Sequence, residues 1–138
     1  MIKAGLKVVS TVLLLDEISY AMGRYPDYGF SKGTPRRGGH GMYEHTLWRM
    51  ELGGPGDPLF GLYGLSRVLE GLDVELADRA RALVGRGCEV GLGMTQEFLD
   101  GEEGSDGLNF SLGAVAWLAR AGAGIDIDQL VLRARLDE

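Results

Sequence analysis

The apolar and polar positions sort into short segments with different periods. Leu6, Val8 and Val9 open an apolar, β-branched stretch reaching Leu15, which predicts a first strand with Lys3 and Lys7 on an outer face or edge. Val12–Leu15 is apolar without alternation, as in a strand buried on both faces. Asp16 is placed to cap a short helix, DEISYAM, which Gly23 stops, with Ile18 and Met22 sharing its buried face. Thr46 to Leu52 alternates, Trp48 and Met50 against Arg49 and Glu51, and predicts a half-buried strand. Asp57-Pro58 reads as N-cap and N1 of a helix whose apolar face is Leu59, Leu62, Leu65, Val68, Leu69 and Leu72. Gly61 and Gly64 weaken that helix by about 1 kcal/mol each relative to Ala. Asp73 restarts a helical stretch with Leu76, Ala80, Leu83 and Val84 inward, ended by Gly85 or Gly87.

The clearest strand is next: Cys88, Val90, Leu92 and Met94 alternate with Glu89, Gly91, Gly93 and Thr95. Ser111 caps LGAVAWLARA, with Val115, Leu118 and Ala119 as its inner stripe, and Gly122 closes it. The last element sets Ile125 and Ile127 against Asp126 and Asp128, then changes phase after Gln129, which predicts a bulge or strand end there. Between the first helix and Thr46, Tyr25–Gly41 is dense in Gly and Pro and reads as a long loop. The order β-α-loop-β-α-β-α-β predicts one α+β domain over residues 1–138: a mainly antiparallel sheet with helices on one face, one crossover being open to a parallel pairing.

Composition changes this picture in two respects. Twenty-three glycines among 138 residues mean many turns, and they show no G-X-Y period. The net charge of −6 is unevenly spread: residues 1–50 carry 7 Lys/Arg against 4 Asp/Glu (+3), residues 51–138 carry 7 against 16 (−9). That balance argues against nucleic acid as a partner, because such binding depends on neutralising phosphates. It leaves a small basic face able to meet an acidic partner. The single cysteine, Cys88, fits a reducing cytoplasm and is expected to be inert. The apolar start is too short to span a bilayer, and Asp16 and Glu17 follow it with no small-residue cleavage site, so neither membrane nor signal peptide is expected.

Several positions together resemble the bacterial DUF4279 domain family. They are Ala21-Met22-Gly23 at the end of the first helix, Pro26, Lys32-Gly33, Trp48 in a strand, the leucine-rich Leu59–Leu72, then Gly122 and IDIDQL at Ile125–Leu130. Met22 stands where the family has Leu, and the segment HGMYEH (40–45) lies outside its pattern. The resemblance implies the same element order over nearly the whole chain and carries no activity with it.

The unusual chemistry gathers in Phe30–Met50. His40 and His45, with Glu44 between, offer N and O ligands, but their spacing matches no standard zinc site, and no metal or other cofactor is expected. His40 or His45 with Tyr43, Glu44 and Asp128 is the candidate acid–base set, since imidazole titrates near neutrality. Asp126 and Asp128 share one face of their strand. Lys32, Arg36 and Arg37 among Gly33, Gly38 and Gly39 form a candidate anion-binding surface, although the Walker spacing is absent. Trp48 completes the binding candidates, with core burial as its competing role, as for Trp117 and Tyr63. The acidic loop with Asp100, Glu102, Glu103 and Asp106 lacks EF-hand spacing. The expectation is a small bacterial cytoplasmic accessory protein, immunity-like, that binds a protein or peptide and that an exposed edge strand could dimerise. The alternative is a small enzyme that tailors a peptide or small molecule.

Overall fold

The apolar alternation of the first strand finds partners on both of its edges. The computed structural model describes residues 2–53, 64–99 and 108–132. Within them the chain runs β1 (Ile2–Ser10), α1 (Leu15–Met22), β2 (Tyr28–Phe30), β3 (Thr46–Glu51), α2 (Gly64–Glu70), α3 (Val74–Gly85), β4 (Glu89–Leu99), α4 (Leu112–Ala121) and β5 (Gly124–Leu132). The strands form one mixed sheet in the order β2-β3-β1-β4-β5. Neighbours are antiparallel except β4 and β5, whose parallel pairing uses α4 as its crossover. The chain is thus an α+β domain with a mostly antiparallel sheet.

Register explains the core. Leu6 lies between Met50 and Leu92, and Val8 between Trp48 and Val90, all on one face. Ile18 and Met22 of α1, Leu69 of α2, Leu83 of α3 and Leu118 of α4 close over them. Helix α1 packs on β3 and α3, while α4 packs on α2 and α3. Trp48 is fully buried, at 0% exposure, and its indole N–H donates to the Arg24 carbonyl at 3.3 Å. It belongs to the core and presents nothing to a partner, which removes it from the binding candidates. Trp117 is likewise buried, its indole N–H donating to the Asp73 carbonyl.

Local contacts move several expected boundaries. Strand β1 ends at Ser10 rather than reaching Leu15, because the Ser10 hydroxyl accepts the Val12 and Leu13 N–H groups and turns the chain. Val12 is consequently exposed instead of buried on two faces. Helix α1 starts one residue before Asp16: Glu17 accepts the Leu14 N–H, and the Ser31 hydroxyl accepts that of Leu15. Asp73 and Ser111 do cap α3 and α4 through their side chains, and Gly23 and Gly122 end α1 and α4 in left-handed conformations. The buried stripe of α4 is Ala114, Trp117, Leu118 and Ala121, while Val115 and Ala119 face outward. Trp117 is the larger apolar group, and seating it against α3 rotates the helix. No bulge interrupts β5, whose register with β4 is continuous from Gly124 to Leu132. The phase change after Gln129 instead leaves Leu130 and Val131 on opposite faces, both partly exposed. The Asp57-Pro58 helix start, Tyr63 and the acidic loop lie outside the described residues.

Arg120 of α4 grips Asp78 of α3 through two hydrogen bonds, at 2.8 and 3.1 Å. That guanidinium holds the Asp78 carboxyl below its usual range. A carboxyl with a depressed folded pKa adds stability above its unfolded pKa and loses it as pH falls through the folded value. The stability difference between wild type and Asp78→Asn, measured by denaturant titration, is therefore expected to be full at neutral pH and to vanish in acid below the normal Asp range. A difference independent of pH would contradict the assignment.

Candidate functional site

The stretch between β2 and β3 is a built arm rather than an irregular loop. Gly33 N–H donates to the Tyr43 carbonyl and Tyr43 N–H to that of Thr34, both at 2.9 Å. Pro35 and Met42 bridge next, and Arg36 N–H reaches the Gly41 carbonyl at 3.0 Å. The tip reverses through Gly38, Gly39 and Gly41, at φ of 98°, 83° and 75°, which side-chain-bearing residues rarely adopt. Hydroxyls fix the base: Thr46 Oγ1 accepts the Lys32 N–H, and Thr34 Oγ1 donates to the Ser31 carbonyl. Lys32 Nζ donates to the Thr11 carbonyl at 2.9 Å.

Aromatic contacts stiffen the arm. Phe30 and Tyr43 stack at 3.8 Å between centroids and 12° between planes, and His45 meets Phe30 edge-on at 5.4 Å. Arg36 lies over Tyr43 and Arg37 over Tyr28, at 5.8 and 5.5 Å. Tyr28 pairs with Arg49 and Phe30 with Leu47, so both rings stand on the sheet face opposite the core.

That face continues across the sheet as a polar floor. Gly5 and Gly93 oppose each other in register, and Gly91 faces Lys7. The missing side chains leave room for Arg49 to lie flat on the backbone. A Cβ on Gly5 would stand 2.6 Å from its Cζ. Arg49 Nε donates to Glu51 at 2.7 Å, and Lys7 Nζ pairs with Asp126 at 2.8 Å.

The candidate residues divide accordingly. Lys32, Arg36, Arg37, Tyr43 and His45 come together on the arm, with Lys32, Arg36 and Arg37 exposed and His45 half-buried. His40 sits at the exposed tip and Glu44 is also exposed. Asp128 lies on β5, three strand spacings or about 14 Å from β3. The acid–base set is thus not assembled: histidines and carboxylate belong to opposite edges of the sheet. Among the described residues no group of three or more His, Cys, Asp or Glu side chains is placed to hold a metal ion. Cys88 is buried. Two contributors escaped sequence reasoning. Tyr28-Gly29-Phe30 is a three-residue strand, legible only as one alternation inside a glycine-rich stretch. The alternation of β3 puts Arg49 on the polar side of its strand, but the bed beneath it is set by register, which lays Gly5 beside Gly93.

Comparison with protein families, with curated proteins and with solved structures finds no match to this chain.

Glycine at two positions has opposite consequences. A Cβ on Gly29 would meet the Leu47 carbonyl oxygen at 2.6 Å and Leu15 at 2.9 Å, whereas on Gly5 it meets only the end of a flexible side chain. Gly29→Ala is expected to destabilise by about 1–3 kcal/mol, as overpacking does, and Gly5→Ala by less, with Arg49 displaced from Glu51. Chemical denaturation of both variants checks this, and equal losses would contradict it.

Proposed function

We propose that this chain is a small binding module, an accessory and immunity-like protein, that docks an acidic polypeptide on the arm between β2 and β3. The observation that carries the reading is a contrast among its cations. Lys3, Lys7, Arg24, Arg49, Arg79 and Arg120 each have a carboxylate partner. Among the described residues, Lys32, Arg36, Arg37, Arg67, Arg81 and Arg86 form no ion pair; of these, only the three on the arm are clustered and held in place, the two arginines over tyrosine rings and Lys32 on a backbone carbonyl. Guanidinium groups fixed in advance lose less side-chain entropy when they engage a carboxylate, and their forked N–H donors suit it.

The partner's charge follows from that surface. A polypeptide is favoured over nucleic acid because nucleic-acid binding depends on neutralising a run of phosphates, and the arm offers three cations, Lys32, Arg36 and Arg37, in a chain of net charge −6. No described helix is long and apolar enough to cross a membrane. The lone cysteine supports a cytoplasmic setting, and kinship with the DUF4279 family belongs to the same proposal. The separation of His40 and His45 from Asp128 supports binding over catalysis.

Fluorescence anisotropy with a fluorescein-labelled, Glu-rich peptide tests the proposal. Arg36→Glu/Arg37→Glu is expected to weaken binding on the order of tenfold, about 1.4 kcal/mol, and added salt to weaken the wild type. The exposed pair Arg67→Glu/Arg86→Glu, away from the arm, is expected to retain wild-type affinity. Equal affinities for all three proteins, or equal losses in both variants, would sink the proposal.

A further inference from the structure

We infer that β5 is a homodimerisation edge: it pairs antiparallel with β5 of a second copy about a two-fold axis at Gln129, joining two five-stranded sheets into one of ten. This goes beyond the docking arm and involves the opposite side of the sheet. β5 is the last strand in the sheet order, and its outer edge has no described partner. It is nine residues long, regular, and free of lysine, proline and bulges, three of the devices by which sheets protect an open edge; its charged side chains are Asp126, paired with Lys7 of β1, and Asp128. By contrast, the strand at the other edge, β2, has only three residues. β5 also shows exposed apolar side chains on both faces, Ile125, Ile127 and Val131 on one and Leu130, beside Asp126 and Asp128, on the other, each of the four more than 40% exposed.

The sequence of β5 selects both occupant and register. A two-fold pairing centred on Asp128 would set that carboxylate against its own copy, and one centred on Ile127 would set Asp126 against Asp128. Like charges directly opposite are destabilising. Centred on Gln129, the pairing sets Ile127 against Val131 twice on one face and Asp128 against Leu130 twice on the other, with no carboxylates opposed. The side chain on the axis supports the same choice. Gln129 Nε2 donates to Oε1 of Gln96 at 3.0 Å, and Gln96 is buried at 3% exposure, so that amide is anchored. Its own Oε1 accepts no hydrogen bond from a described residue, and one N–H remains to donate. Two such amides related by a two-fold satisfy each other, extending Gln96–Gln129 into a row of four across the junction. A centre on Leu130 would instead set Gln129 against Val131 and lose that pairing.

Sedimentation equilibrium of the full chain, from about 1 to 100 µM, is expected to show a species of twice the 14.9 kDa chain mass. Ile127→Lys/Val131→Lys is expected to be monomeric with unchanged circular dichroism, since both positions are partly exposed. Register is read by cysteine cross-linking. Gln129→Cys is expected to oxidise to a covalent dimer, because facing residues of antiparallel strands stand about 5 Å apart, within disulfide reach. Asp128→Cys alone is expected not to, but to cross-link when mixed with Leu130→Cys. Wild type that stays monomeric throughout, a lysine variant that still dimerises, or Asp128→Cys that links to itself more readily than Gln129→Cys would overturn the inference.

Discussion

The double pairing of β1 is the constraint from which the rest of the molecule follows. With β3 on one side and β4 on the other, the strand cannot slip by one residue without turning Ala4, Leu6 and Val8 out of the core and Lys3 and Lys7 into it. That register places Trp48, Met50, Val90 and Leu92 on the same face, and the helices gather there. It also leaves the opposite face to glycines, to Arg49 and Lys7, and to the aromatic rings of β2. The two faces are therefore products of one alternation, and burial of the first frees the second for polar chemistry.

The two edges of the sheet differ for related reasons. At the β2 edge the chain leaves the sheet through Ser31 and returns at Thr46, and the hydroxyls of both residues accept backbone N–H groups that would otherwise lack partners. The arm between them is short of apolar volume, so it relies on local stacking and on glycines that permit left-handed turns. Its cations are consequently displayed rather than consumed in ion pairs. At the β5 edge nothing comparable occurs: the strand is long and regular, with exposed apolar side chains on both faces, and its described side-chain polar contacts, Lys7 with Asp126 and Gln129 with Gln96, reach inward to β1 and β4. An acidic chain thus holds its unpaired basic arm at one edge and its longest open strand at the other.

Much of the fold was legible in the residues. Alternation at Trp48–Met50 and at Val90–Met94, the caps at Asp73 and Ser111, and the stops at Gly23 and Gly122 all reflect local physics that tertiary packing did not override. The misreadings have one local cause and two tertiary ones. The end of β1 depends on the Ser10 hydroxyl turning back on the backbone of Val12 and Leu13, and the start of α1 on Ser31, sixteen residues away from Leu15. The face of α4 depends on where Trp117 finds room. As for the site, the basic trio and the histidines stood out by composition, but their arrangement did not. The stack of Phe30 on Tyr43 joins residues thirteen apart across a stretch that reads as loop. Only the register of Phe30 with Leu47 shows that the arm stands on the sheet face opposite the core.

The central claim is that this arm is ordered before any partner arrives. Residue-resolved amide hydrogen exchange on the free protein tests it most directly. The account predicts protection of the Gly33, Arg36 and Tyr43 amides, whose carbonyl partners lie within the arm, with His40 at the tip exchanging rapidly. Exchange of all four at the rate of an unstructured chain would contradict it.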